Sequence, residues 1–308
     1  MATVVFMGTP DFAVPALRLL MRHHTVLAVV TQPDRPAGRN RQVQESPVKQ
    51  AAAAAGIPVF QPEKIRRAEA IETLRQWPAD LFIVAAFGQI LPQVVLDLPR
   101  FGSLNIHASL LPRWRGAAPI QAAVRAGDDV SGITIMRMDA GLDTGPILTQ
   151  REIALAADET GASLHDKLSA LGGELLMDTL PGYLDGRIVP QAQEDELATL
   201  ATRIQKDEGR INWSLPALEI DRMVRAYTPW PGSFTIWDGK LLKILAGAPG
   251  DGHAEAGQAI ARDGTLAIGT GTGLYILARL QLEGRAAANT ADFLRGHPAF
   301  AQARLGGA

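Results

Sequence analysis

Two polar residues close an otherwise apolar run. Asn105 and His107 stand two apart in Leu104-Asn105-Ile106-His107-Ala108, at the end of a strand-like segment. That spacing puts both side chains on one face of a strand. An amide N–H and an imidazole N–H on one face can converge on a single carbonyl oxygen, which stabilises the negative charge that develops during acyl transfer. The same pair would serve equally as a structural strand end whose side chains cap a loop. A second polar stretch, Asp139-Ala140-Gly141-Leu142-Asp143-Thr144-Gly145, follows another apolar run. Gly141 and Gly145 admit unusual backbone angles, and Asp143 between them could orient an imidazole. The alternative there is a turn closed by an Asx-type hydrogen bond.

Basic residues gather in two places. The loop Thr31-Gln32-Pro33-Asp34-Arg35-Pro36-Ala37-Gly38-Arg39-Asn40-Arg41 carries three arginines, with Lys49 beyond them and Asp34 and Glu45 opposing. Arginines on so long a loop suit a phosphate backbone, or else make a solvated charged loop. In Arg113-Trp114-Arg115 an aromatic lies between two arginines, a pattern that could stack on a planar or anionic ligand. Other features point to little chemistry. Gly8 in Gly8-Thr9-Pro10-Asp11 lacks the two further glycines of a dinucleotide fingerprint, and a tight strand-to-helix turn explains it. No pair of histidines has metal-ligand spacing, so no protein-held metal is expected. Trp230, between Pro229 and Pro231, reads as a core plug.

The chain of 308 residues is long enough for two domains. Its net charge of -2 excludes a globally basic nucleic-acid coat but leaves room for local patches. With no cysteine there is no disulfide, no thiol nucleophile and no thiolate-held zinc. The chain opens directly into a strand-like run, and its most apolar stretch, 81–91, is too short to span a bilayer, so a cytoplasmic protein is expected.

The elements that must hold these residues alternate. Strand-like runs at 3–7, 26–31, 58–60, 81–85, 103–107 and 132–138 are separated by helical patterns, one of them capped by Ser46-Pro47. Apolar strands between amphipathic helices imply an α/β fold, a Rossmann-like parallel sheet covered on both faces. Ligands in such sheets sit at the carboxyl ends of the strands. The expected organisation is a catalytic domain at 1–189, a linker at 190–207 and a second domain at 208–308. Short alternating segments with Gly-rich turns make that second domain a small antiparallel barrel or sandwich.

Taken together, Asn105-Ile106-His107, Ser109-Leu110-Leu111-Pro112 and Asp143 in its Asp-Ala-Gly-Leu-Asp-Thr-Gly loop resemble the folate-dependent formyltransferase family. Gly8-Thr-Pro-Asp-Phe12, the loop from Thr31 to Arg39, Arg113-Trp-Arg-Gly-Ala-Ala-Pro-Ile120 and Pro229-Trp-Pro231 narrow the likeness to its branch acting on charged tRNA. The resemblance implies a parallel-sheet N-terminal domain and an OB-like β-barrel that binds tRNA. It implies 10-formyltetrahydrofolate as the formyl donor, and initiator methionyl-tRNA, through its free methionine amine, as acceptor. It makes Asn105, His107 and Asp143 the catalytic trio and Ser109, Leu110, Leu111 and Pro112 the folate-contacting segment. Arg39, with Arg35 and Arg41, corresponds to the loop that meets the tRNA acceptor end. After Arg39 this chain has Asn40-Arg41-Gln42-Val43-Gln44, less basic than the family's usual Gly and lysines. A cytoplasmic monomer without a membrane partner is expected. A formyltransferase acting on a sugar amine or purine precursor is the nearest alternative. A non-catalytic RNA-binding protein on the same scaffold is a more distant one.

Overall fold

Val4, Val5, Phe6 and Met7 expose no surface at all, so the strand they form, β1 (Thr3–Gly8), is covered on both faces. The computed structural model describes residues 1–37, 42–262 and 265–306. The chain divides into two units, one of residues 1–119, 130–154 and 165–201, the other of residues 120–129, 155–164 and 202–308.

In the first unit β1 is followed by β2 (Thr25–Val30), the short hairpin β3 (Arg35–Ala37) and β4 (Gln42–Gln44), then β5 (Val59–Phe60), β6 (Leu81–Ala85) and β7 (Ser103–His107). After them come β8 (Arg115–Gly116), β9 (Val130–Arg137), β10 (Ile147–Ala154) and β11 (Leu200–Ala201). The main sheet runs β10-β9-β7-β6-β1-β2-β5. From β5 to β7 all neighbours are parallel. Val5, Met7, Ala28, Val30, Phe82 and Val84 fill the core on one side, packed against Ile65, Leu74, Phe87, Leu91 and Val95. Ser46 accepts the backbone N–H of Lys49 at 3.1 Å and so caps the helix Pro47–Ala54, as Ser-Pro promised.

One strand departs from the all-parallel expectation. β9 is antiparallel to β7, and β10, not anticipated from sequence, is antiparallel to β9. Six of the eight residues of β9 are buried, and an apolar run reports burial on both faces rather than strand direction. β10 instead alternates buried or half-buried with exposed positions, as an edge strand does. The β9–β10 turn, residues 138–146, is the loop that carries Asp143.

In the second unit β12 (Ser233–Trp237), β13 (Lys240–Gly250), β14 (Ala259–Arg262), β15 (Thr265–Gly269) and β16 (Leu274–Leu282) form an antiparallel sheet ordered β12-β13-β16-β15-β14. β17 (Ala288–Asn289) pairs off this path with β16. Among the described residues no pairing joins β12 to β14, so no closed barrel forms. Backbone segments cover both edges instead. Ile211 donates to the Phe234 carbonyl at 2.8 Å, and Ala259 donates to the Ala303 carbonyl at 2.8 Å. Trp230, expected in a core, is 56% exposed, since aromatic character alone does not decide burial. Among the described residues no helix is long and apolar enough to cross a membrane.

Candidate active site

The register of β7 explains how two of the three candidate residues meet. Asn105 pairs with Val84 of β6 and Met136 of β9, and His107 pairs with Thr134 of β9. Both therefore stand at the carboxyl end of a central strand, on one face, where sheets of this kind present ligands. Asp143 reaches them from the β9–β10 turn. Its Oδ1 accepts from Asn105 Nδ2 at 3.4 Å, and its Oδ2 lies 3.6 Å from His107 Nδ1. Asn105, His107 and Asp143 thus gather around one point, all within the first unit.

His107 is buried, and its Nε2 lies 2.9 Å from the carbonyl of Trp114. A carbonyl can only accept, so Nε2 carries the proton in the neutral ring and Nδ1 is the free nitrogen facing Asp143. The Asn105–Asp143 bond is long for N–H···O. The amide can make a shorter bond to a carbonyl oxygen, which is what an acyl donor would offer.

Asp143 is held in place from several sides. The backbone N–H of Gly116 donates to its Oδ2 at 2.9 Å. Its own φ is +53°, in the left-handed region, and that of Trp114 is +62°. The sequence expectation put the unusual angles on the flanking glycines. Gly141 and Gly145 are instead needed for space, since a Cβ at Gly145 would lie 1.9 Å from the Arg137 carbonyl oxygen. The Asx turn also falls elsewhere, because Asp139 Oδ1 accepts from the Gly141 N–H at 3.0 Å and the Thr144 hydroxyl at 2.8 Å. Asp139 closes the turn, and Asp143 is left to face β7.

The segment 109–112 is fixed by internal bonds. The Ser109 hydroxyl donates to the Arg113 carbonyl at 2.6 Å, and the Leu111 N–H donates to the Thr134 hydroxyl at 3.0 Å. Gln150 donates to the Leu111 carbonyl at 2.8 Å. Ser109 and Leu111 are buried, whereas Leu110 and Pro112 are half-buried. Arg113 lies over the Trp114 ring, 4.4 Å from its centroid. Arg115 turns inward, 6% exposed, to Gln193 and Asp195.

Of the loop arginines, Arg35 is exposed on β3, paired through its backbone with Gln44. Arg39 and Arg41 lie outside the described residues. The loop's two arms meet at Lys49, whose ammonium pairs with Asp34 and, at 3.0 Å, with Glu45. The Lys49 hydrogen bond, and then one from Gln61, hold the Asp34 carboxyl below its usual range.

Sequence reasoning missed Gln193, in the stretch read as a linker. Its amide donates to the carbonyls of Asp143 at 2.8 Å and Gly145 at 2.7 Å. No local pattern marks it, because the contact spans some fifty residues of chain. That stretch also pairs with the first unit, Gln191 with Ile147 and Leu200–Ala201 with Arg115–Gly116.

Residues 1–180 match the family described as Formyl transferase, and residues 203–298 match Formyl transferase, C-terminal domain. The chain is a member of the formyl transferase family. This formyl transferase is 48% identical over 296 residues to the Methionyl-tRNA formyltransferase of Myxococcus xanthus, covering 96% of this chain and 95% of that one. To the Methionyl-tRNA formyltransferase of Chromobacterium violaceum it is 50% identical over 306 residues, covering 98% and 99%. Among solved structures, an N-formyltransferase from Helicobacter canadensis in complex with folinic acid and dTDP-3-aminofucose aligns at a TM-score of 0.67 and 18% identity, over 91% of this chain and 100% of that one. HypX from Aquifex aeolicus in complex with tetrahydrofolic acid aligns at 0.64 and 18% identity, over 95% of this chain but 47% of HypX, so this chain spans about half of it. At such identities the likeness is one of fold.

Proposed function

We propose that this formyl transferase moves the formyl group of 10-formyltetrahydrofolate to the free amino group of the methionine on initiator methionyl-tRNA, for translation initiation. Near-half identity to proteins named Methionyl-tRNA formyltransferase, over almost the whole of both chains, supports the choice of acceptor. The observation that carries the chemistry is the meeting of Asn105, His107 and Asp143 at the end of β7.

The folate donor supplies an acyl carbon attached to nitrogen. Asn105 Nδ2 donates to the formyl oxygen as negative charge grows there. The proton on His107 Nε2 is committed to the Trp114 carbonyl, so Nδ1 is the atom that takes a proton from the attacking amine. Asp143 stabilises the charged ring through the same nitrogen and orients it. His107 then returns the proton to the departing folate nitrogen. Leu110 and Pro112, half-buried, give the donor an apolar surface, and buried Ser109 and Leu111 fix its path.

The second unit's sheet is read as an OB-like surface for tRNA. β13 shifts register twice between Ile244 and Gly247 and pairs with both β12 and β16, a bend of the kind that small barrels use. Lys243 pairs with Gln281, and Arg279 pairs with Ala246 between the two shifts, which sets the two cations on adjacent strands. Arg225, a third cation of the second unit, is bound instead to Asp221 at 2.7 Å and the Glu159 carbonyl at 2.9 Å. Arg35, Arg39 and Arg41 are assigned to the acceptor end. One chain carries the whole trio, which supports activity as a monomer, and a tRNA acceptor supports a cytoplasmic reaction.

The test is transfer of labelled formyl to methionine on initiator tRNA, with elongator methionyl-tRNA and a nucleotide-linked amino sugar as controls. Formylation of the initiator form is expected. Formylation of the amino sugar alone would overturn the assignment.

A further inference from the structure

Asp143 holds a φ of +53°, in the left-handed region that few residues other than glycine occupy, and its surroundings hold it there. The carboxylate is held by the Gly116 N–H. The Asp143 carbonyl is held, among the described residues, by a side-chain amide. Gln193 Nε2 spends both of its hydrogens on the loop, one on the carbonyl of Asp143 and one on that of Gly145. Its Oε1 accepts twice from Arg115, from Nε at 3.0 Å and from the terminal NH2 at 2.9 Å. A guanidinium only donates, so Oε1 must face Arg115 and Nε2 must face the loop. Arg115 therefore fixes which way the Gln193 amide points. Its neighbours in sequence touch the trio directly: the Trp114 carbonyl holds His107 and the Gly116 N–H holds Asp143.

We infer that Gln193, oriented by buried Arg115, is a positioning residue for formyl transfer, clamping the Asp143 loop so that the carboxylate stays on His107. This rests on Asp143 acting at the reacting carbon, as proposed above. Gln193→Glu separates positioning from stability. The glutamate keeps the length and gives Arg115 a charged partner, but it sets an oxygen against two carbonyls that need donors. Gln193→Met keeps the length and bonds to neither side.

The experiment measures formyl transfer to initiator methionyl-tRNA, with melting temperatures, for Q193E, Q193M, D143N and D143N/Q193M. Expected is a loss in kcat on the order of 100-fold for Q193E, the scale of a displacement near 1 Å, with KM for tRNA within about twofold and a melting temperature still well above the assay temperature. The double variant is expected to be no slower than D143N alone, because Gln193 acts only through Asp143. Wild-type kcat in Q193E, or in Q193M should Q193E not fold, overturns the inference. Multiplied losses in the double variant overturn it too. Wild-type rates in D143N would instead remove the reading of Asp143 on which it stands.

Discussion

The carbonyl of Trp114 sits 2.9 Å from Nε2 of His107, and Trp114 itself holds a φ of +62°. The ring is thereby committed at one nitrogen by backbone whose own conformation is sparsely populated. In the mechanism we propose, the proton moves through the other nitrogen, Nδ1, beside Asp143 at 3.6 Å. His107→Asn cannot offer a basic nitrogen there. Its kcat for formyl transfer is expected to fall by about 100-fold or more. Turnover near that of the unaltered enzyme would take His107 out of the chemistry.

Gly116 supplies the N–H that holds the Asp143 carboxylate, at a φ of +120°. A Cβ there would stand 2.5 Å from the Ala201 carbonyl oxygen, in the β8–β11 pairing. Gly116→Ala must move one strand or the other, and the N–H moves with it. A destabilisation of about 1–3 kcal/mol is expected, from clash and strain together. Denaturant unfolding and kcat on the same preparation check it, and kcat is expected to fall well beyond what the unfolded fraction explains.

The local part of this site is legible from residue types. Asn105 and His107 share a face because a strand alternates, and an Asp between glycines after an apolar run marks a loop. The carboxyl ends of β1, β2, β6 and β7 follow from apolar runs separated by helical ones. Features decided by distant contacts were not legible. β9 is buried on both faces and gives no sign of its direction, and β10 was not anticipated. Arg115 turns inward because Gln193 and Asp195 wait there, and nothing in Arg-Trp-Arg announces it. The left-handed angle falls on Asp143 rather than on Gly141 or Gly145, because the glycines are required where carbonyl and side chain crowd them.

Asp80 ties the start of β1 to β6. Its Oδ2 accepts from the Thr3 N–H at 2.8 Å and the Thr3 hydroxyl at 3.0 Å. The Thr3 N–H, foremost, holds the carboxyl below its ordinary value of 3.8. A folded-state value lower than the unfolded one adds stability above 3.8, and that stability is lost as pH falls through the lower value. Asp80→Asn keeps an acceptor for Thr3 but cannot titrate. Melting temperature measured down through pH 3.8 is expected to fall more steeply for the unaltered protein than for D80N. Parallel curves would show that this carboxylate contributes nothing to acid stability.

The protein carries a net charge of -2, so its hold on tRNA must come from local cations. We assign Arg39, with Arg35 and Arg41, to the acceptor end, on a loop whose arms Lys49 draws together through Asp34 and Glu45. A phosphate contact releases counterions, and each contact steepens the fall of affinity with salt by about 0.7–0.9 in logarithmic slope. Arg39→Ala is expected to raise KM for initiator methionyl-tRNA and to lower the salt slope by about 1, while KM for the folate donor holds. Arg39→Lys keeps the charge but not the planar fork, and it should recover the slope better than the affinity. Titration of tRNA binding between low and moderate salt, with folate KM measured in parallel, separates these effects. An equal loss for tRNA and folate would move Arg39 from the acceptor end to the donor site.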